Sequence, residues 1–290
     1  MNLRKIIFEL HKILGLTTGI VVFIVAITGC CWAFRDEIES LYDDYKKVSP
    51  QNKPILTPTE AKMYAMEVFP NNHVHGTLFK KADDAIEVIF YDPEPEFYQS
   101  VFLNPYTGEV IQVDDHLSGF FAFILKGHMR LWLPKEIGEQ VVGASILIFM
   151  VIIFSGIFLW IPKKRKNLKQ RLGFNWKDST RWKRKNFDLH TVIGFYICSL
   201  ALILAFTGSV MSYNWMKYVL YKSLGGDKEA AFIIPENIGT ANINEDVKPM
   251  DLLIPKQWAA SPNAESFELH YPKSEDESIY VEVSNSSGLY

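Results

Sequence analysis

Three stretches of the chain, 13–34, 141–161 and 191–213, contain no Asp, Glu, Lys or Arg. Each is about as long as a helix needs to cross a bilayer. In lipid every backbone N–H and C=O must be paired within its own segment, so uncharged runs of this length predict helices. The pattern predicts a membrane all-α bundle with spans at 13–34, 138–161 and 190–213. Elsewhere the periodicity changes. Thr57 and Glu60 form a capping box with Pro58 at the first helical position, and the helix runs through Ala61, Tyr64, Ala65 and Val68 to Pro70. Alternating Ile86, Val88 and Phe90 predict a strand over 85–91, followed by strands at 98–103 and 109–113 around the turn Asn104-Pro105-Tyr106-Thr107-Gly108. The result is an α+β module at about 57–113, with no nucleophile–base pair and no metal-ligand cluster. The aromatic stretch 118–133 is too short to span, is stopped by Pro134, and predicts an interfacial helix. After the third span, a helix opening at Asp251-Leu252-Leu253 and strands at 266–271 and 278–283 predict the first part of a second module within 214–290.

Charge orients these elements. The net charge of −3 conceals a basic loop, 162–189, with Lys163, Lys164, Arg165, Lys166, Lys169, Arg171, Lys177, Arg181, Lys183, Arg184 and Lys185 against Asp178 and Asp188. Arg4, Lys5 and Lys12 precede the first span. Positive loops stay on the cytoplasmic side, so residues 1–12 and 162–189 are expected inside, and the acidic regions 35–137 and 214–290 outside. A basic run can also be a nucleic-acid patch. Between two spans it reads as a retention signal, and no nucleic-acid partner is expected.

The first and third spans repeat one frame. Leu10-His11, Gly15, Ile24, Ala26 and Thr28-Gly29 align without gaps with Leu189-His190, Gly194, Ile203, Ala205 and Thr207-Gly208. Leu and Ile recur by chance in apolar helices, but a His, two Gly and a Thr at fixed offsets mark paired halves. Both spans run from inside to outside, so His11 and His190 are expected at one depth near the cytoplasmic face. Gly15, Gly19, Val22, Ala26 and Gly29 follow His11 along one helix face; Gly194, Cys198, Ala201, Ala205 and Gly208 follow His190. Small residues admit another helix or a flat macrocycle. A His with a Gly one turn on leaves a slot beside the imidazole, so two such helices can clamp a haem, each His giving one axial nitrogen to the iron. A lone His at this depth is more simply an interfacial anchor; a matched pair favours ligation.

Phe154-Ser155-Gly156 in the second span is a weaker echo of the Thr-Gly element, running the opposite way. His128, in the interfacial helix, is either a ligand of a second haem near the outer face or an interfacial side chain, with His116 as a weak candidate partner. His73, His75 and His270 fall in soluble segments and are expected at the solvated surface. Cys30, Cys31 and Cys198 read as small buried thiols, because Cys30 and Cys198 lie at depths that do not match for a disulfide. Ile27-Thr28-Gly29-Cys30 also has the form of a lipoprotein cleavage signal. The recurrence of Thr-Gly at Thr207-Gly208, where no cleavage can be meant, argues for the repeat instead.

The helix start Thr57-Pro58-Thr59-Glu60-Ala61, the strands, and Phe102-Leu103-Asn104-Pro105-Tyr106-Thr107-Gly108-Glu109-Val110 resemble a PepSY domain, with Asn104 where an Asp is usual. Flanked by spans carrying His-x3-Gly and Thr-Gly, the whole chain resembles the PepSY-associated transmembrane family. That family includes iron-regulated inner-membrane proteins and ferric-siderophore reductases holding b-type haem through His. The resemblance implies one or two haems b, with His11, His190 and His128 as iron ligands beside Gly15 and Gly194. It implies a bacterial inner-membrane electron-transfer protein that takes electrons from a separate cytoplasmic or membrane donor. Its expected acceptor is a ferric siderophore or another external acceptor. The family also has a fourth span introduced by another His, which the residues given lack; either the chain continues past Tyr290 or its second half has decayed. The competing class is a non-enzymatic membrane anchor whose external PepSY modules bind or regulate another protein.

Overall fold

The structure is a computed structural model and describes residues 2–42, 44–162, 168–227, 248–274 and 276–284. Lys163, Lys164, Arg165 and Lys166 of the basic loop, and 228–247 and 285–290 of the final region, lie outside the described residues. The chain forms two units: 1–32 with 123–231, and 33–122 with 232–290.

The first unit is helical. Three helices are long and apolar enough to cross a membrane: Leu3–Ala33, Lys135–Trp160 and Trp182–Ser212. A fourth is not found among the described residues. The first helix, α1 (Leu3–Ala33), begins ten residues before the expected span. Its polar start is made of good helix formers, with Lys12 donating to Glu9 one turn away. Helix α5 (Lys135–Trp160) matches expectation closely. Its last carbonyls have no partners within the helix. Two cations supply them: Arg4 Nη2 reaches the oxygens of Leu159 (2.5 Å) and Ile161 (2.9 Å), and Arg171 Nη1 reaches that of Trp160 (2.5 Å).

The third span starts earlier than 190. It is built as α6 (Trp182–Asp188), a π-helical turn (Leu189–Ile193) and α7 (Gly194–Ser212) in one run. Trp160 of α5 stacks on Phe195 of α7, with ring centres 3.8 Å apart. Helix α8 (Asn214–Ser223), not foreseen, follows. Cys30 is exposed on its helix surface and Cys198 half-buried, so burial is not what the thiols share; all three are free.

The second unit is an antiparallel sheet with helices on one face. Its elements include α2 (Arg35–Glu39), α3 (Pro58–Val68), β1 (Val74–Phe79), β2 (Ile86–Pro93), β3 (Glu96–Leu103), β4 (Val110–Asp115), α9 (Pro249–Ala260), β5 (Ser266–His270) and β6 (Tyr280–Ser284). The capping box forms as expected: Glu60 N donates to Thr57 Oγ1 and Thr57 N to Glu60 Oε2. Ala61 and Ala65 face a core of Phe79, Val88, Phe90, Val101, Leu103, Phe267 and Leu269. Each fully buried Phe or Leu contributes about 1.5–3 kcal/mol. In the turn after β3, Asn104 Oδ1 accepts from Tyr106 N, so the amide serves where an Asp carboxylate is usual.

The strand order is β4-β3-β2-β1-β5-β6. Strand β1 was absent from the expected elements. The partial second module repeats the first: α9, β5 and β6 echo α3, β1 and β2, and the two join through their first strands, β1 against β5. Helices α3 and α9 are also tied, because Asp251 Oδ1 accepts the free amide of Thr59 in the first turn of α3 (2.8 Å).

Candidate functional site

Within the helical unit the imidazoles of His11 and His190 come together, with ring centres 6.2 Å apart and planes at 65°. Two imidazoles bound to one metal at about 2 Å per bond hold their centres about 6 Å apart, so the pair has the spacing a bis-His ion needs. Gly15 and Gly194 remain open: a Cβ built on either meets nothing within 4 Å among the described residues. They are not packing seams for another described helix.

The hydroxyl of Ser155 fixes the tautomer of His11. Ser155 Oγ donates to the carbonyl of Ile152 (2.9 Å), so toward His11 it accepts, from Nδ1–H at 2.9 Å. His11 Nε2 is left unprotonated, the form in which imidazole binds a metal. Beside Ser155, a Cβ on Gly156 would stand 3.1 Å from His11 Cε1. The Ser-Gly echo of the second span is therefore a seat for the first span's histidine.

His128 repeats this arrangement. In α4 (Gly119–Arg130) its Nδ1 donates to the carbonyl of Val25 at 2.9 Å, with Thr28 Oγ1 at 3.5 Å. Thr28 Oγ1 itself donates to the carbonyl of Ile24, so it too is an acceptor toward His128. A Cβ on Gly29 would lie 2.9 Å from His128 Cε1. Thr28-Gly29 and Ser155-Gly156 thus play one role: the hydroxyl orients a histidine from another helix and the glycine lets its ring sit down. Thr207-Gly208 carries no such histidine among the described residues; Ile146 Cδ1 is 3.6 Å from a Cβ on Gly208. After α4, Leu131 and Trp132 take positive φ (53° and 58°), folding the Trp132 indole back to donate to the carbonyl of Phe123 (2.8 Å). The turn fixes the end of α4 that carries His128.

His190 sits in the π-helical turn. Such turns widen the helix by one residue and recur at functional positions. Just before it, Asp188 is held by Arg184 (3.0 Å) and by Trp176 Nε1 (3.2 Å). Neither the π turn nor this anchor was legible in the sequence.

In the sheet unit, His116 Nε2 meets Ser100 Oγ at 2.7 Å and its ring lies against Tyr98; its bonds are to the sheet. The expected surface position of the remaining histidines is overturned. His270 is buried, because β5 is an inner strand between β1 and β6, and both its ring nitrogens lack hydrogen bonds. His75 is half-buried, and His73 Nε2 is buried without a partner. Burial pushes all three imidazoles below their ordinary range. Residues 57–113 supply only one member of a possible ligand group, His75, and the pairing of β1 with β5 brings Glu268 and His270 beside it.

A bundle of apolar helices seating histidines on Ser/Thr-Gly pairs, attached to a helix-backed antiparallel sheet, defines a polytopic membrane protein with an α+β module. The model of the PepSY-associated TM region matches residues 8–277, and the chain belongs to that family. No curated protein matches the chain in sequence.

Proposed function

We propose that this protein is a haem-containing electron-transfer protein of the bacterial inner membrane, with residues 1–12 cytoplasmic, serving the reduction of ferric siderophores outside. The observation that carries the reading is the His11–His190 pair at 6.2 Å beside two open glycines. His11 and His190 would hold one haem b, and His128 would offer a ligand to a second. When bound, haem supplies reversible one-electron chemistry at a potential set by its ligands and burial. The chain's own residues do the rest: Ser155 and the Val25 carbonyl hold Nδ1 protons, which leaves Nε2 of His11 and His128 free to bind. The electron donor is a separate protein or membrane carrier. An external siderophore would give up its iron because reduction weakens the grip of hard oxygen ligands.

The test is an absorbance spectrum of the detergent-extracted protein made with ample haem supply. The expected result is a Soret band with a low-spin bis-His spectrum, lost on His11→Ala or His190→Ala. A colourless protein of intact fold overturns the proposal and favours a PepSY binding or regulatory role.

A further inference from the structure

On the sheet face opposite α3 and α9, residues from both halves of the repeat meet. Strand β5 is antiparallel to β1, with Gly76 opposite His270 and Leu78 opposite Glu268. Residues two apart on a strand share a face, so Glu268 and His270 point away from the core that Phe267 and Leu269 enter. His75 would ordinarily point the other way from Gly76. However, the register of β1 against β2 shifts between Val74 and Gly76, and that bulge lets Val74 enter the core. A bulge re-aims a side chain, and here it turns His75 onto the face of Glu268 and His270.

The geometry points to a binding site for a divalent transition-metal ion formed by His75, Glu268 and His270, with Glu282 at its edge. One ligand atom from each of the three lies within 4.8 Å of the others. His270 Nε2 is 3.5 Å from Glu268 Oε1 and 3.6 Å from Glu282 Oε1. Donor atoms sharing a tetrahedral ion at about 2.0–2.2 Å stand about 3.3–3.6 Å apart, so two of these separations already suit one ion.

Three further observations support it. His270 is 7% exposed and neither of its ring nitrogens makes a hydrogen bond. Burying a polar group without a hydrogen bond is unfavourable, and a metal would relieve one such atom. Its ring is already positioned, stacked on Tyr280 (4.4 Å, 10°) and edge-on to His75 (5.1 Å, 86°). Glu268 and Glu282 stand directly opposite each other on β5 and β6. Like charges facing across strands are unfavourable, and a cation between them reverses the sign of that interaction.

The missing side chain of Gly76 leaves the space that the Glu268 carboxylate fills: a Cβ there would be 3.1 Å from its Oε1. Two imidazoles and a carboxylate suit Zn2+ or Fe2+ rather than Mg2+, which prefers oxygen and water. The site belongs to the sheet unit, and the proposed haem ligands belong to the helical unit.

The experiment is a Zn2+ titration by calorimetry of full-length, detergent-solubilised protein freed of metal by a chelator, repeated in millimolar Mg2+. The expected result is one Zn2+ per chain, not displaced by Mg2+. His11→Ala/His190→Ala should bind it equally, and affinity should fall at least 10-fold in Glu268→Gln and His270→Gln. His75→Ala, at a half-exposed position, gives the same readout if the buried variants fail to fold. Wild-type protein that takes up no Zn2+ overturns the site. So does unaltered affinity in folded Glu268→Gln, or in His75→Ala where only that variant folds, or Zn2+ binding lost in the His11/His190 variant.

Discussion

Ser155 Oγ lies 2.9 Å from His11 Nδ1, and because it donates to the Ile152 carbonyl it receives the histidine's proton. The second span thereby decides which nitrogen of a first-span histidine is free. Removing such an orienting partner typically lowers metal affinity about 10–100-fold. On the proposed haem reading, Ser155→Ala is expected to weaken haem retention by that factor, whereas Ser155→Thr, which keeps the hydroxyl, retains most of it. Haem titration of the apoprotein of each variant measures this. Equal affinity in Ser155→Ala would mean that the Ser155 bond does not set the ligand.

A second seat gives a separate prediction. The His128 ring rests where a Cβ of Gly29 would come within 2.9 Å of it, and the crowded atom is the end of a flexible side chain. Gly29→Ala is therefore expected to cost little stability, under about 1 kcal/mol given the helix preference for Ala, but to push His128 off the Val25 carbonyl. Diethyl pyrocarbonate labelling followed by mass spectrometry should show His128 reacting several-fold faster and His11 at its wild-type rate. Unchanged labelling of His128 would contradict the contact.

Much of this arrangement was legible because it is local. Missing charge marks 13–34, 141–161 and 191–213, and Thr57 with Glu60 announces α3 within four residues. The repeat His-x3-Gly and Thr-Gly was visible as well, but its meaning was not. Gly15 and Gly194, one turn past His11 and His190, stay open, while Thr28-Gly29 and Ser155-Gly156 each seat a histidine from a different helix. That relationship exists only once helices pack. Strand β1 escaped because a bulge breaks the alternation of Val74-His75-Gly76-Thr77, so no period of two survives to be read. His270 was expected at the surface because nothing near it in sequence foretells that β5 joins β1, some 190 residues earlier. The convergence of His75, Glu268 and His270 was missed for the same reason.

Gly108 tests the module's turn. Its φ is +75°, a region that L side chains rarely adopt, and a Cβ there would overlap the ring of Tyr64 on α3. Backbone strain of this kind costs about 1–3 kcal/mol, and displacement of Tyr64 adds to it. Gly108→Ala should therefore destabilise the sheet unit by at least about 1 kcal/mol. Hydrogen exchange of β3 and β4 amides in the full-length protein reads it, with α5 amides as the internal control. Equal protection in the variant would count against the strain argument.

His116 yields the pH dependence of the same unit. Its imidazole is held below the ordinary range first by burial and secondarily by the charge of Arg35, against the opposing pull of Glu87, Asp114 and Glu39. Ser100 Oγ donates to Glu87 Oε1 (2.7 Å), so it accepts from His116 Nε2–H, a bond the neutral ring makes. The folded state thus binds a proton at His116 less readily than the unfolded chain does. With more protons on the unfolded state, stability rises with pH. The contribution is present above the unfolded value of 6.5 and is lost as pH falls below it through the folded value. Carboxylate losses begin lower, near pH 4–5, so the window between about pH 6.5 and 5 belongs to histidines. Thermal unfolding of the sheet unit, followed by exchange of β2 and β3 amides at pH 7.5 and 5.5, should show lower stability at 5.5. In His116→Gln, which cannot gain the proton, the drop between the two pH values should be smaller. A drop of equal size in that variant would assign the acid sensitivity to His73, His75 and His270 instead.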